Sequence, residues 1–429
     1  MKISIKLILL FFLLISIVIS SSFSKEVITL RVSWWGSQDR HNRTLKVIEL
    51  FQQKYPHIKI VPEYSGWGDY WTILTTQAAG RNLPDVIQHD YQFLAEWVKR
   101  GLLRPIDDLV AQNIIKLSDV PDAYVAPGRV EGKLFAVNLG VNSFGIVYDP
   151  ELLKKAGISS LKWNWTWDDF KNVAKQVRNK LGIFGVGDTM IADAQAFKIW
   201  LLEHNTYLYS PDGKSLGYED DKLFSDYFKM LLELIDAGAM PSREFEMGRV
   251  GVAALEDMLI VTQKAAMNQL WSNQLVAVMR ASKERPLKLN LFPQPGKPGT
   301  RSGNYLKASM FFAVSAYTKY PKEAGLFIDF FINSIEANKI LLAERGVPIS
   351  RKIQTLLRPY LTASQMEMFN FIKLVEKNVC PTPLPDPPGH TEILNNVWNP
   401  IADQILYKKI TPEQGAIEFR KQATAILKK

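Results

Sequence analysis

Cysteine is almost absent from this chain of 429 residues, which holds only Cys380. An internal disulfide is excluded, so stability has to come from the core that a chain of this length can bury. No thiol lies near the N-terminus, which excludes a lipid-modified cysteine there. Histidine is scarce too: five residues without close spacing offer no metal centre, and no metal or other cofactor is expected. No H-E-x-x-H run occurs. The 52 basic residues outnumber 43 acidic ones but come in ones and twos, unlike a surface that tracks phosphates, so nucleic acid is not an expected partner. Beyond the first two dozen residues, no stretch reaches 18 apolar residues without a charge, so the mature chain is expected to be soluble.

The one long apolar run stands at the start. Lys2 and Lys6 precede an uncharged stretch, residues 7–20, followed by small and polar residues. That order is the layout of a secretory signal peptide, with Ser22 and Ser24 suiting cleavage before Lys25. An uncleaved anchor is the alternative, since the run is near the shortest that spans a bilayer. Cleavage removes two lysines and no acid, taking the formal charge from +9 to +7. An exported chain has no ATP or reducing power to draw on, which points to binding proteins and hydrolases.

The remaining residues, about 405 of them, are too many for one ordinary core and suit two domains. Alternating apolar and polar residues predict strands over Val27–Trp34 and His57–Tyr64, and a short buried strand over Pro84–Asp90. Helical periodicity predicts Thr44–Tyr55, Tyr70–Ala79 and Leu94–Lys99 between and after them. Strands alternating with helices at this spacing indicate an α/β fold with mostly parallel sheets flanked by helices. Further strands are expected over Lys133–Gly140 and Ser143–Pro150, and a helix capped by Thr166 and Asp169 follows. Helices then dominate to about Met279, and a strand returns at Met310–Ala316 before the helix Lys322–Asn333. Cys380–His390, with five prolines in eleven residues, has to be irregular. The interrupted α/β pattern implies two lobes, with the chain crossing between them near residues 140, 300 and 348 around a cleft.

Several segments resemble, in order and spacing, the extracellular solute-binding proteins of bacterial ABC importers, in the carbohydrate-binding family that includes the maltose-binding protein. They are Leu83–Asp90 with Ala95–Asp108, Glu131–Ile158, Trp165–Phe170, Lys264–Leu275, Lys307–Asn333 and Arg345–Lys352. The resemblance implies a type II two-lobed periplasmic-binding-protein fold with about three hinge crossings. One lobe would comprise residues 25–141 plus 305–347, the other 142–304 plus 348–429. It further implies a monomeric, non-enzymatic periplasmic protein that captures an oligosaccharide and presents it to the permease subunits of an ABC importer.

The composition is consistent with that role, because 11 Trp and 15 Tyr exceed what a core needs. Pyranose rings offer an apolar face and a rim of hydroxyls, so their sites pair an aromatic plate with fixed polar partners. Trp34 and Trp35 end the first strand, where open α/β sheets place ligands, and only one of the pair can face the cleft; Trp35 is taken as that one. Trp67, between Gly66 and Gly68, reads as a ring exposed on a loop, and Trp71 as helix packing. The family's sugar-contacting acid, polar hinge residue and second-lobe stacking residue match Asp90, Asn142 and Trp271, although Asp90 could equally cap a helix. Asn304 and Tyr305 follow the second crossing. Arg345 precedes the third, where it could meet a uronic carboxylate or form a hinge salt bridge. Glu256 and Asp257 are read as neighbours of this edge. A secreted glycoside hydrolase is the alternative, and it would require two carboxylates facing each other across a sugar bond. A surface adhesin without a closing cleft is a third reading.

Overall fold

The computed structural model describes residues 27–249, 257–296, 300–378 and 380–429. The expected signal peptide, residues 1–24, and Glu256 lie outside the described residues. The chain opens with strands β1 (Ile28–Trp35), β2 (Ile58–Ser65) and β3 (Val86–His89). Next come β4 (Ala136–Asn138), β5 (Val141–Asn142) and β6 (Phe144–Tyr148). Strands β7 (Phe184–Val186), β8 (Ala265–Trp271) and β9 (Lys288–Asn290) follow, then β10 (Lys307–Ala308) and β11 (Phe311–Val314).

Two sheets organise two lobes: β2-β1-β3-β11-β4 in the first and β9-β6-β8-β7 in the second. The pairs β1–β2, β1–β3 and β7–β8 are parallel. The pairs β3–β11, β4–β11, β6–β8 and β6–β9 are antiparallel. The sheets are thus mixed, which corrects the expectation of mostly parallel ones. The exception in the first sheet is β11, which inserts between β3 and β4 and runs antiparallel to both.

The segments between the sheets run side by side. Lys307 and Ala308 of β10 pair with Asn142 and Val141 of β5, and Val141 also bridges Val347 through hydrogen bonds of 2.9 and 3.0 Å. Gly346 stands beside them with φ +98°. A Cβ there would lie 2.9 Å from the Val141 carbonyl oxygen, so this close approach needs glycine.

Each lobe has its own apolar centre. Leu30, Val32 and Trp34 of β1 are fully buried with Val86, Ile87 and β11 in the first. Phe170, Phe197, Tyr227 and Trp398 fill the second. The helix Ala363–Lys377 ties the two together. Its Glu376 accepts from Tyr124 beside the first sheet, and its Glu367 pairs with Lys288 of the second. The capping box of Thr166 and Asp169 forms as expected, and residues 381–387 contain no helix or strand.

Candidate functional site

In the first lobe the parallel strands deliver their carboxyl ends to one edge, and with them Trp35, the turn into Trp67, and Asp90. Trp67 opens a helix (Trp67–Ala79) rather than sitting in a loop, because Gly66 adopts the extended conformation of an N-cap. Trp67 is 43% exposed, whereas Trp35 is 7% exposed. Trp67 therefore offers the surface and Trp35 its support, with centroids 5.0 Å apart and planes at 77°. Trp71 sits behind both rings, edge-on to Phe93 at 4.5 Å and to His89 at 5.3 Å. Such tilted contacts hold the rings rigid at little entropic cost. His89 is buried in this cluster, and burial pushes its pKa down to about 4, so it is neutral at physiological pH.

Asp90 does cap a helix (Tyr91–Lys99): its Oδ1 accepts from the Gln92 N–H at 3.0 Å. Its other oxygen accepts no hydrogen bond among the described residues, so capping leaves half of the carboxylate available. Burial raises the Asp90 pKa, opposed by the Gln92 N–H and by the positive charge of Lys307.

From the second lobe comes Trp271, the last residue of β8. It is half-buried, tilted against Phe144 at 5.3 Å and edge-on to Tyr305 at 6.3 Å. Lys307 places its Nζ over the Trp271 ring, 4.8 Å from the centroid, a cation–π contact. Lys307, on the strand β10 that pairs with β5, thus lies over Trp271, and its positive charge bears on Asp90. It forms no ion pair among the described residues. Sequence reasoning missed it, since an isolated lysine in KASMFF carries no signal until β10 is paired opposite Asn142. Asn142 itself is buried at the same strand pair. Its Oδ1 accepts from the Ser272 hydroxyl at 3.3 Å, and its Nδ2 has no partner among the described residues.

Three of the expected site residues serve other purposes. Asn304 is fully buried and its amide is consumed by protein. It accepts from the Phe292 N–H (2.8 Å) and the Ser302 hydroxyl (2.5 Å) and donates to the Phe144 carbonyl (2.6 Å) and the Ser143 hydroxyl (3.3 Å). It fastens its own segment to the start of β6 and has nothing left for a ligand. Tyr305 is buried, its hydroxyl accepting from Gln195 Nε2 at 3.1 Å, and it backs Trp271 rather than facing out. Arg345 is a buried cation of the first lobe. It donates to Gln88 Oε1 (3.1 Å), Thr44 Oγ1 (2.9 Å) and Glu344 (3.3 Å), and its guanidinium lies over Phe331. Burial pushes its pKa down to about 9. Gln88 donates in turn to the Trp35 carbonyl at 3.1 Å, so Arg345 positions Trp35 from behind.

Asp188, just after β7, was not expected. Its Oδ1 accepts from the Met190 N–H (2.8 Å) and from Gln269 Nε2 (3.1 Å), and Gln269 shares a face of β8 with Trp271. Burial, reinforced by Glu246, pushes its carboxyl up to about 7. Among the described residues no group of three or more His, Cys, Asp and Glu is placed to hold a metal ion. No described helix is long and apolar enough to cross a membrane.

A family model described as bacterial extracellular solute-binding protein matches residues 39–336. The chain belongs to that family. This solute-binding protein is similar to the multiple sugar-binding protein of Streptococcus mutans, with 24% identity over 341 residues and 75% of each chain covered. Its structure is similar to an extracellular solute-binding protein family 1 member from Alicyclobacillus acidocaldarius. There the TM-score is 0.82 and the identity 28%, over 95% of this chain and 100% of the other. A periplasmic oligogalacturonide-binding protein from Yersinia enterocolitica, with digalacturonic acid bound, superposes with a TM-score of 0.72 at 25% identity, over 94% of this chain and 99% of that one. The protein is therefore an extracytoplasmic, periplasmic-type solute-binding component of an ABC transporter, with a two-lobed α/β fold. The family it belongs to is one of solute-binding proteins, which favours binding over the hydrolase reading.

Proposed function

We propose that this solute-binding protein captures an oligosaccharide between its lobes and presents the closed form, as a monomer, to the membrane subunits of its importer. The observation that carries this reading is the placement of Lys307 over Trp271 while its charge acts on Asp90. In this reading an aromatic plate of one lobe and a carboxylate of the other share the influence of one cation. Trp67 supplies a second plate, Trp35 its support, and Asn142 an amide at the strand pair. A sugar ring resting on Trp271 would offer hydroxyls to Asp90, Asn142 and Lys307. A uronate ring would add a carboxylate for Lys307, and the oligogalacturonide-binding relative makes that sugar class worth testing first.

The lobes in this reading are residues 25–141 plus 305–347, and 142–304 plus 348–429, after removal of the signal peptide. The strand pair β5–β10 and the bridge from Val141 to Val347 support a type II fold hinged at three crossings. Closure is driven only by the extra contacts the ligand makes in the closed form. Calorimetric titration with di- and hexasaccharides of α-1,4-galacturonate, α-1,4-glucose and α-1,5-arabinose tests the proposal. At least one series should bind, and Trp271→Ala should weaken it by about 2 kcal/mol, roughly 30-fold. Unchanged affinity in that variant would remove Trp271 from the site.

A further inference from the structure

Gln269 is only 8% exposed, and its side-chain carbonyl oxygen, Oε1, is buried with no donor among the described residues. A buried acceptor without a partner is costly, so the position calls for a proton donor. The amide nitrogen of the same side chain donates to Asp188 Oδ1 at 3.1 Å, and the Met190 N–H donates to that oxygen at 2.8 Å. Both donations end on Oδ1, which leaves Oδ2 for a proton. A proton there supplies the donor that Gln269 Oε1 lacks and closes a ring of two hydrogen bonds between a neutral acid and an amide.

The charges around Asp188 also favour the neutral acid. Glu246, on the helix Arg243–Met247, accepts from the Thr189 N–H at 2.7 Å and from the Thr189 hydroxyl at 2.5 Å, and its negative charge bears on Asp188. Arg243 donates to Glu246 (2.9 Å) and to Asp403 of the helix Asn399–Leu406 (2.6 Å). Tyr227, on the helix Lys222–Asp236, donates its hydroxyl to the Met190 carbonyl, and burial holds that phenol neutral. Asp188 forms no ion pair among the described residues. Three carboxylates thus stand around one guanidinium, and Asp188 is the one it does not pair with. The strands place this group near the plate of the cleft. Val186 of β7 stands opposite Met267 of β8 in parallel register, so Asp188 and Gln269, each two residues on, lie side by side at the end of the sheet where Trp271 closes β8. Asp188 keeps part of its surface in solvent. A sugar on Trp271 and the closing first lobe would dry that end of the sheet and favour the neutral acid further.

We infer that Asp188 is a positioning residue held as a neutral acid: paired with the Gln269 amide, it fixes the end of β8 that carries Trp271, and sugar capture from alkaline solution takes up a proton there. The link to capture rests on the reading of the cleft as a sugar site; the proton on Asp188 does not.

Infrared difference spectroscopy of the wild type against Asp188→Asn at pH 6 tests the proton without any sugar. The wild type should show a protonated-carboxyl band that the variant lacks, and the absence of that band would overturn the inference. Calorimetric titration with the same di- and hexasaccharides at pH 6 and pH 8.5, in two buffers of different ionisation enthalpy, tests the link to capture. For the series that binds, wild-type affinity should fall about fivefold or more between the two pH values, with net proton uptake on the alkaline side. Asp188→Asn should lose both the fall and the uptake, because its side chain does not ionise. The same pH profile in wild type and variant, with binding still dependent on Trp271, would overturn the positioning role and leave the cleft standing. If no series binds the wild type, the cleft reading and the link to capture fail together, while the infrared band still decides whether Asp188 holds its proton.

Discussion

Replacing Asp188 by asparagine should flatten part of the pH dependence of stability. The carboxyl sits behind the end of β8 that carries Trp271, beside Glu246, which itself accepts from Thr189 and Arg243. Its pKa is pushed from the ordinary 3.8 up to about 7, first by burial and then by Glu246. A carboxyl whose folded pKa exceeds its unfolded one holds its proton more tightly in the native state. Its contribution to stability is then full below about pH 4 and is lost as the pH rises through 7. At about 1.4 kcal/mol per pH unit, keeping the group ionised in the fold at pH 8 costs up to about 4 kcal/mol. Part of Asp188 touches solvent, which screens some of this cost. Asparagine keeps the oxygen that accepts from Met190 and Gln269 but does not ionise. Urea unfolding of the wild type and Asp188→Asn at pH 5 and pH 8 measures the effect. The variant should gain about 1–3 kcal/mol on the wild type between the two pH values. Parallel pH profiles would refute the reasoning, because they would mean that the carboxyl ionises in the fold as freely as in the unfolded chain.

Other substitutions separate support from contact. Arg345→Met leaves Glu344, Gln88 and Thr44 without their buried partner and should cost about 3–5 kcal/mol in urea unfolding; loss of sugar affinity with unchanged stability would make Arg345 a contact residue instead. Asn304→Ala strands the Phe292 N–H and the Phe144 carbonyl and should cost about 2–4 kcal/mol, while calorimetry on the folded protein finds ligand affinity nearly unchanged. Gly346→Ala forces a Cβ into the left-handed region against Val141 and should lower stability by about 1–3 kcal/mol, read by its thermal midpoint. Lys307→Met keeps the apolar stem over Trp271 but removes the charge, so affinity for galacturonate should fall about tenfold or more and affinity for a neutral sugar by less; an equal loss on both would remove charge recognition from the account.

Much of the fold can be read from the sequence because its signals are local. The alternation in β1 and β2, the Thr166–Asp169 cap and the proline-rich segment each depend on a few adjacent residues. Strand direction does not, and this is why β11 antiparallel to β3 was not expected: it depends on a segment more than 200 residues downstream inserting between β3 and β4. The same divide runs through the site. Trp67, Asp90 and Trp271 stand at the ends of local elements and are found where those elements point. Asn142 and Asn304 look alike in sequence, both polar and both beside an expected crossing. Only the Ser143–Phe144 segment, more than 150 residues away from Asn304 in the chain, decides that Asn304 is sealed. Lys307 and Asp188 gain their meaning from the partners Trp271 and Gln269, which no spacing rule links to them.

The most direct measurement of the account is small-angle scattering of the protein with and without a saturating amount of the tightest-binding hexasaccharide, repeated on Trp271→Ala at the same sugar concentration. Capture between closing lobes predicts a smaller radius of gyration for the wild type with sugar and no change in a variant that no longer saturates. A saturated wild type with an unchanged radius of gyration would contradict it.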